Sequence, residues 1–253
     1  YSLILNVLRD QLDRFGEIDA TSKMLAKVAK QTTDTVILNR EDPLVSNLSA
    51  KKKVYFGYSD KVSVLFPNDD EMYSETALKK SNKLSASVTL DDLNGQVATY
   101  NIGEANLQLR GAHNAFNAAA ALTLVKLILG EKFNSKSTLA ALSKVQPAFG
   151  RGESFTIGDQ ALELILVKNP SGFRISLASQ NISQAATMIA INDQYADGRD
   201  MSWLWDVDFS SLNQVANVSG IRAFDMALRL KYQSVDVKSV NTDLALAVNQ
   251  FID

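Results

Sequence analysis

The chain has 253 residues, of which 46% are hydrophobic and 21% charged, with a formal net charge of -2 and no cysteine. This length suits two domains, and the near-neutral charge gives no indication of a nucleic-acid partner. The lack of cysteine excludes disulfides, thiolate metal sites and a cysteine nucleophile. No apolar run approaches the roughly 18 to 20 residues of a membrane-spanning helix. The first residues show no signal-peptide pattern, so we expect a cytoplasmic protein without a transmembrane segment.

The first part of the chain alternates between strand and helix patterns. Residues 1–9 resemble the end of a strand leading into a loop, which suggests that a further segment precedes them. Residues 17–31 have apolar side chains near helical spacing, and the runs 36–38 and 54–56 are typical of buried parallel strands. Asp42-Pro43 favours a turn or a helix start. The alternation predicts a parallel α/β sheet.

The pattern changes after residue 58. Residues 59–83 are polar and predict a surface insertion, and Asn94-Gly95 predicts a hairpin within residues 84–109. Helices are predicted at about 113–129 and 137–145, and residues 146–152 (QPAFGRG) predict a hinge. A second series is then predicted, with strands at 161–167, 186–191 and 214–218 and helices from about 172, at 221–231 and at 239–252. We therefore predict an α/β protein with two domains, residues 1–147 and 148–253.

An acidic cluster follows the first strand, in residues 10–16 (DQLDRFG). Ligands bind at the carboxyl edge of an open α/β sheet, and carboxylates suit a hard cation such as Mg²⁺. Asp10 and Asp13 are thus candidates for phosphate and magnesium handling. A helix cap with an ion pair explains the same residues.

Two asparagines and the only histidine lie at the start of the predicted helix near residue 113. Asn114 and Asn117 are three residues apart and share one helix face, where amides can read an adenine edge. A structural role is the alternative, with Asn114 as a helix cap. A single histidine such as His113 is more often structural than catalytic.

Two basic segments could bind anions. Arg151 stands in the predicted hinge, where a guanidinium can clamp a phosphate, although an exposed turn explains it equally well. Lys168 and Asn169 follow an apolar strand and precede a helix, an arrangement that suits an anionic ligand. A routine strand-to-helix turn capped by Ser171 is the alternative.

The most unusual segment is residues 192–208, which hold five aspartates and both tryptophans. Such loops usually carry function, and an aspartate can orient a catalytic histidine. No suitable histidine is near in sequence, so it would come from a partner. A hydrogen-bonded loop anchored by its tryptophans is the alternative, but it does not explain the number of carboxylates.

Together these segments resemble the Mur ligase superfamily and, within it, the MurT type of synthetase subunit. The matching stretches cover nearly the whole chain: 9–17, 38–39, 42–45, 55–57, 113–121, 149–151, 166–173, 197–208 and 219–232. The last three are specific to the MurT type. The resemblance implies a partial Mur-ligase-like central ATPase domain followed by a smaller, Rossmann-like α/β C-terminal domain that closes on it.

The resemblance also implies an activity. Such proteins activate a carboxylate as an acyl phosphate with ATP and Mg²⁺, and ammonia displaces the phosphate. The substrate is the D-glutamate α-carboxylate of lipid II, at the inner membrane face, and ammonia comes from a GatD-type glutaminase. An aspartate of the C-terminal domain completes the partner's Cys–His pair, and we assign it to Asp200 or Asp197, with Asp200 first.

By the same resemblance Asn114 and Asn117 face the adenine, Arg151 faces the phosphates, and Lys168 with Asn169 serves the nucleotide. Asp10 lies near the metal.

The sequence departs from the superfamily in several ways. The Gly-rich phosphate loop occurs nowhere in the sequence, and we expect it to precede residue 1. The cysteine ribbon common in MurT proteins is missing, so no zinc is expected. Gln11 replaces a frequent histidine, and neither Lys23 nor Lys27 is in clear register with the family's carbamylated lysine. An amino-acid-adding Mur ligase and a non-catalytic scaffold that completes a partner glutaminase remain alternatives.

Overall fold

The computed structural model describes residues 1–7, 14, 16–66, 84–147, 151–179, 185–194 and 199–252. The described residues form two compact units. The first contains residues 1–7, 17–66, 84–147 and 151–153. The second contains residues 14, 16, 154–179, 185–194 and 199–252.

A mixed sheet with strand order β1-β2-β3-β4-β5-β6 forms the first unit. Its parallel part consists of β1 (Ser2–Ile4), β2 (Thr35–Asn39), β3 (Lys52–Tyr58) and β4 (Ala86–Asn94). Every residue of β2 is buried, as expected of a central parallel strand. The crossover helix α1 (Ile18–Gln31) joins β1 to β2, and the short helix α2 (Pro43–Ser46) follows β2. The predicted parallel sheet is therefore present.

The hairpin predicted from Asn94-Gly95 is present and extends this sheet. β4 pairs in parallel with β3 and antiparallel with β5 (Val97–Tyr100), which pairs in turn with β6 (Gly103–Asn106). Gly95 has φ +60°, a conformation that glycine adopts without strain and that this type of tight turn needs. A 3₁₀ turn (Asp60–Leu65) lies between β3 and β4.

Helix α3 (Ala112–Leu129) packs on this sheet and ends at Gly130. Ala115, Ala119 and Ala120 have no exposed surface, which lets the helix approach the strands closely. The Tyr100 hydroxyl donates a hydrogen bond to the Ala115 carbonyl at 2.9 Å, and burial raises the pKa of this phenol. Contrary to the sequence expectation, the helical residues 112–132 are long and apolar enough to cross a membrane. The core helix of a soluble protein meets the same criterion, so the length and composition of this helix do not by themselves indicate a membrane span. Helix α4 (Ser135–Leu142) follows.

A hairpin whose first strand crosses the boundary between the units at residues 153–154 is followed, in the second unit, by a small parallel sheet. β7 (Arg151–Ile157) pairs with β8 (Gln160–Ile165), and helix α5 (Pro170–Ser179) follows. The parallel sheet has the order β13-β11-β9, formed by Val240–Asn241, Asn217–Ser219 and Met188–Ala190. A second pair joins β10 (Gln214–Val215) to β12 (Asp236–Val237). Helices α6 (Ala223–Tyr232) and α7 (Leu244–Ile252) complete the unit.

Two sequence predictions of local structure are wrong. Arg151 and Gly152 belong to strand β7 and not to a hinge, because their backbone continues into a hairpin with β8. The helix predicted from residue 239 starts only at Leu244, because Val240–Asn241 forms a strand that pairs with β11. Of the insertion predicted at 59–83, residues 60–65 form the 3₁₀ turn, and residues 67–83 lie outside the described residues.

Candidate functional site

The carboxyl edge of the first sheet carries Asp42, a buried carboxylate that organises two loops. Its side chain accepts hydrogen bonds from the backbone N–H groups of Val7 at 2.7 Å, Leu44 at 2.8 Å and Val45 at 3.1 Å. The last two bonds cap helix α2, and the first ties the end of β1 to the loop after β2. Asp42 thus holds the edge where an open α/β sheet binds ligands.

A glycine on β3 makes room for an ion pair at the same edge. Arg40 and Glu41 pair at 2.6 Å, and Glu41 also accepts the Tyr58 N–H at 3.1 Å. A Cβ atom on Gly57 would lie 2.6 Å from the Glu41 carboxylate. Any larger residue at position 57 would therefore displace this pair.

The two asparagines proposed for adenine lie on the first turns of α3. The Asn114 amide donates to the Arg110 carbonyl at 2.8 Å, so this side chain also stabilises the helix start. Asn117 is exposed one turn later, on the same face. Gly111 precedes them at φ +93°, and a Cβ there would meet the His113 ring at 2.9 Å.

The proposed anion-binding residues lie around the β7–β8 hairpin. Lys168 is exposed in the loop after β8. Asn169 caps helix α5, since its side-chain oxygen accepts the Gly172 N–H at 2.8 Å. Asn169 therefore acts as a cap of this helix, and the side chain of Ser171, the cap in the alternative interpretation, lies outside the described part of the structure. Of Arg151 only the strand position is described.

In the acidic segment two aspartates form equivalent turns. The Asp200 carboxylate accepts the Ser202 N–H at 2.9 Å, and the Asp208 carboxylate accepts the Ser210 N–H at 2.9 Å. Between them a 3₁₀ turn (Ser202–Asp206) carries both tryptophans. Asp200 is half-buried and is the described member of the proposed catalytic pair. Asp197 and the proposed metal ligand Asp10 lie outside the described residues.

The start of this segment is fixed to helix α6. Arg222 donates to the Asp193 carboxylate at 2.7 Å, and its backbone N–H bonds to the Ile191 carbonyl at 3.0 Å. The Ile221 N–H bonds to the Asn192 side chain at 3.0 Å. Gly220, at φ +88°, permits this close approach, since a Cβ atom there would lie 2.3 Å from the Ile191 carbonyl oxygen.

A buried arginine fixes the later part of the segment. Arg229 lies on the inner side of α6 and donates to the carbonyls of Leu204, at 2.9 Å, and Val207. Its guanidinium also lies 5.2 Å from the Trp205 ring centroid and 5.5 Å from that of Phe209. Helix α6 thus anchors the acidic segment through Arg222 at one end and Arg229 at the other.

Sequence reasoning did not predict this role of α6. The partners Asp193 and Arg222 are 29 residues apart, and Arg229 is 25 residues from Leu204. The only sequence indication was an arginine among the apolar positions of an amphipathic helix.

We expect acid to weaken the second unit through Asp208. The pKa of Asp208 lies below its ordinary value of 3.8, because the carboxylate accepts hydrogen bonds from the Ser210 backbone and side chain and from Gln233. Because the pKa of Asp208 is lower in the folded state than in the unfolded state, the charged carboxylate stabilises the fold above pH 3.8. This stabilisation is lost as the pH falls through the pKa of the folded state. Carboxyl titration by NMR should give a midpoint below 3.8 for Asp208. A midpoint at or above that value would contradict the prediction, and Asp208→Asn should remove this part of the acid dependence.

Among the described residues no group of three or more His, Asp or Glu side chains is placed to hold a metal ion.

Comparison with known families identifies both parts of the chain. The model of the Mur ligase middle domain matches residues 1–125, and the model of the MurT ligase C-terminal domain matches residues 166–253. The two parts of the chain are thus similar to the middle domain of Mur ligases and to the C-terminal domain of MurT ligases. The predicted family resemblance is confirmed.

Curated relatives carry the MurT name. The chain is 30% identical over 268 residues to the lipid II isoglutaminyl synthase (glutamine-hydrolyzing) subunit MurT of Streptococcus pneumoniae, covering 90% of this chain and 59% of that protein. It is 28% identical to the same subunit of Staphylococcus aureus, with coverages of 92% and 60%. The chain therefore spans about three fifths of these relatives. Over 49% of the chain it is also 29% identical to a UDP-N-acetylmuramoylalanine–D-glutamate ligase of Burkholderia cenocepacia, covering 28% of that protein.

Solved structures show the same fold. A pseudomurein peptide ligase type C from Methanothermus fervidus has a TM-score of 0.73 at 17% identity, covering 94% of this chain and 52% of that one. MurF from Acinetobacter baumannii has a TM-score of 0.67 at 17% identity, with coverages of 98% and 52%. A folylpolyglutamate synthase from Mycobacterium tuberculosis, solved with ADP and AMPPCP, has a TM-score of 0.65 at 16% identity, with coverages of 98% and 55%. The predicted Mur-ligase-like α/β fold is confirmed.

Proposed function

We propose that this chain is part of the synthetase subunit of an ATP-dependent amidotransferase that amidates the D-glutamate α-carboxylate in the stem peptide of lipid II. One observation carries the proposal: a Mur ligase middle domain and a MurT ligase C-terminal domain follow one another in this chain. Two curated relatives, 30% and 28% identical to this chain, bear the name lipid II isoglutaminyl synthase (glutamine-hydrolyzing) subunit MurT. We keep residues 1–147 and 148–253 as the two domains of this proposal.

In the proposed reaction ATP phosphorylates the carboxylate, and ammonia displaces phosphate from the acyl phosphate. Asn117, exposed on α3, offers an amide donor and acceptor to the adenine edge beside Asn114. Lys168 is exposed, and it would, like Arg151, offer a positive charge to the phosphates, while Asn169 caps helix α5 directly after Lys168. Magnesium, held by Asp10, would supply charge neutralisation at the transferring phosphoryl group.

The ammonia is proposed to come from a GatD-type glutaminase. A glutamine-hydrolysing site of the cysteine type needs a thiol nucleophile, and this chain contains no cysteine. The chain would instead lend an aspartate, Asp200 or Asp197, to the partner's Cys–His pair. We place the resulting heterodimer in the cytoplasm, where it would meet lipid II at the inner membrane face.

The amino-acid-adding ligase is the rival function, supported by the 29% identity of about half of this chain to a UDP-N-acetylmuramoylalanine–D-glutamate ligase. The MurT-type match over residues 166–253 favours the amidotransferase.

The proposal is tested with the protein as its gene encodes it, co-purified with a GatD-type glutaminase. With lipid II, ATP and glutamine, the complex should produce lipid II that carries D-isoglutamine and should release ADP. The product is detected as a mass decrease of about 1 Da, because acyl substitution exchanges a hydroxyl for an amino group. Free ammonia should replace both glutamine and the partner in this reaction. Addition of a whole amino acid would establish the rival ligase. Glutamine hydrolysis in the complex without any ATP-dependent product would establish the scaffold.

A further inference from the structure

The first unit carries a row of exposed lysines along the edge of its sheet at which the parallel strands begin. This edge, which we call the basic edge, is opposite the edge that carries Asp42. Its exposed lysines are Lys27, Lys30, Lys51, Lys52, Lys53 and Lys132. One strand and two helices bring them to the same edge.

The lysines at 51–53 stand at the start of β3. Lys52 pairs with Thr35 and Lys53 with Val36 in the parallel ladder of β3 with β2, and Lys52 and Thr35 are the first residues of their strands. All three lysine side chains are exposed. The start of β3 therefore presents three consecutive positive charges at the amino edge of the sheet.

Helices α1 and α3 lie on opposite faces of this sheet. Val36 of β2 is buried in one cluster with Ala29 of α1, whereas the next residue, Ile37, is buried in another cluster with Ala120 of α3. Because successive residues of a strand point to opposite faces, the two helices enclose the sheet between them.

Both helices end at the basic edge. Helix α1 joins the end of β1 to the start of β2, so its last turn, which carries Lys30, lies beside the start of β2. In the last turn of α3 the Lys126 ammonium donates to the Ser87 carbonyl at 3.3 Å, near the start of β4. Lys132 follows in the 3₁₀ turn Gly130–Lys132. The ends of the two helices thus extend the row of lysines beyond β3.

The basic edge has a net positive charge. Its three segments, 27–34, 51–53 and 128–132, contain the six lysines and two exposed carboxylates, Asp34 and Glu131, which leaves four positive charges in a chain of net charge -2. Within the described part of the chain none of the six lysines forms an ion pair. A helix dipole favours a lysine in the last turn of α1, but it does not explain three lysines at the start of a strand. The charge is therefore available to an external anion.

Aliphatic side chains lie exposed among these lysines. Val28, between Lys27 and Lys30, is 47% exposed, and Ile128 and Leu129 at the end of α3 are 57% and 41% exposed. Exposed aliphatic residues beside lysines are typical of a surface that enters the headgroup region of an anionic bilayer. A nucleic-acid surface favours arginine and stacking aromatic side chains, and the three segments contain neither.

We propose that the basic edge binds peripherally to a membrane of anionic phospholipids. The lysines attract the headgroups, and the aliphatic side chains enter the boundary between headgroups and acyl chains. The inference goes beyond the proposed function, because this binding needs neither ATP nor a partner subunit.

Binding at the basic edge leaves the opposite edge of the sheet free. Strand β3 has seven residues, so the edge that carries Asp42 would stand roughly 20 Å above the bilayer, at about 3.3 Å per residue. Membrane binding and the proposed reaction therefore use different edges and can be changed separately by substitution.

The test is sedimentation of the full-length protein with vesicles of phosphatidylglycerol and phosphatidylcholine in equal amounts. The wild type should sediment with these vesicles, less so as salt is added, and should not sediment with phosphatidylcholine alone. Lys51→Glu combined with Lys132→Glu should lower the partition coefficient at least about tenfold, because one lysine near an anionic bilayer contributes about fivefold. The control is Lys144→Glu combined with Lys231→Glu, which changes the net charge equally at two exposed lysines outside the basic edge. It should bind within about twofold of the wild type.

The aliphatic contribution is tested by Ile128→Ser with Leu246→Ser as its control. Leu246 is 54% exposed, close to the 57% of Ile128, but it lies on α7 in the second unit. Ile128→Ser should weaken binding about fivefold, and this loss should persist at high salt because it does not depend on charge. Leu246→Ser should bind like the wild type.

Three results would overturn the membrane surface. They are wild-type protein that stays in the supernatant, a control that loses as much binding as its test variant, and binding of single-stranded RNA without binding of vesicles. Amidation separates this inference from the proposed function. Lys51→Glu with Lys132→Glu should slow the amidation of lipid II in anionic vesicles about tenfold, in line with its partition coefficient, and should leave the amidation of detergent-solubilised lipid II unchanged. Wild-type protein that amidates neither form overturns the proposed function, while sedimentation still decides the membrane surface.

Discussion

Asp200→Asn is expected to lower the glutaminase rate of the complex by about four orders of magnitude, the usual loss when a triad aspartate becomes asparagine. Asparagine keeps an oxygen that can accept the Ser202 N–H, so the turn at residue 200 should persist. It loses the negative charge that holds a histidine in the correct tautomer and stabilises its protonated form. The rate of glutamate release from glutamine in the assembled complex measures the effect. Ammonia-driven amidation should not change.

Asp208→Asn is the matched control for this prediction. Asp208 forms the same kind of turn, with a serine N–H at the same distance of 2.9 Å, eight residues further along the chain. It should therefore reproduce any structural effect of replacing a turn aspartate without affecting the partner's histidine. Equal losses in both variants, or no loss at position 200, would contradict the role of Asp200. In the second case Asp197 becomes the candidate for this role.

The sequence predicts most of the fold because its strongest patterns are local. The buried run at β2, the turn at Asn94-Gly95 and the alanine-rich helix α3 lie where their patterns indicate. The errors come from pairings between distant segments. Val240–Asn241 contains too few residues to show a strand pattern, and it is a strand only because β11 pairs with it. Arg151 is a second example. Its neighbours Pro147 and Gly150 favour a linker in the sequence, but Arg151 belongs to a strand because β8 pairs with it.

The candidate site residues were chosen through family resemblance more than through their own chemistry, and their roles stay predictions. Carboxylate density drew attention to residues 192–208, but sequence alone could not separate Asp193, which pairs with Arg222, from Asp200. The helix cap at Asn169 and the hydrogen bond of Asn114 show that two proposed nucleotide ligands also have structural tasks. The arrangement around Arg229 depends on contacts across 22 to 25 residues, which no local pattern reveals.

Gly220→Ala should destabilise the second unit by about 2 to 5 kcal/mol, from left-handed backbone strain of roughly 1 to 2 kcal/mol and overpacking of about 1 to 3 kcal/mol. Residue 220 has φ +88°, and an added Cβ would lie 2.3 Å from the Ile191 carbonyl oxygen, which belongs to backbone and cannot rotate away. Both tryptophans, Trp203 and Trp205, lie in this unit. Their fluorescence during urea unfolding therefore reports its stability.

Gly158→Ala separates the cost of backbone strain from the cost of overpacking. Gly158 has φ +58°, but no atom lies within 4 Å of an added Cβ atom. Its expected cost is the backbone strain alone, about 1 to 2 kcal/mol. Equal costs at both positions would show that the contact with Ile191 is relieved by movement and does not constrain the fold. A larger cost at position 220 would mean that the start of α6 is locked against the strand leading into the acidic segment. In that case Gly220→Ala should also shift Asn192 and Asp193, and the complex should lose glutaminase activity beyond what unfolding explains. The backbone at Gly220 would then help to position the carboxylate that the proposed partner requires.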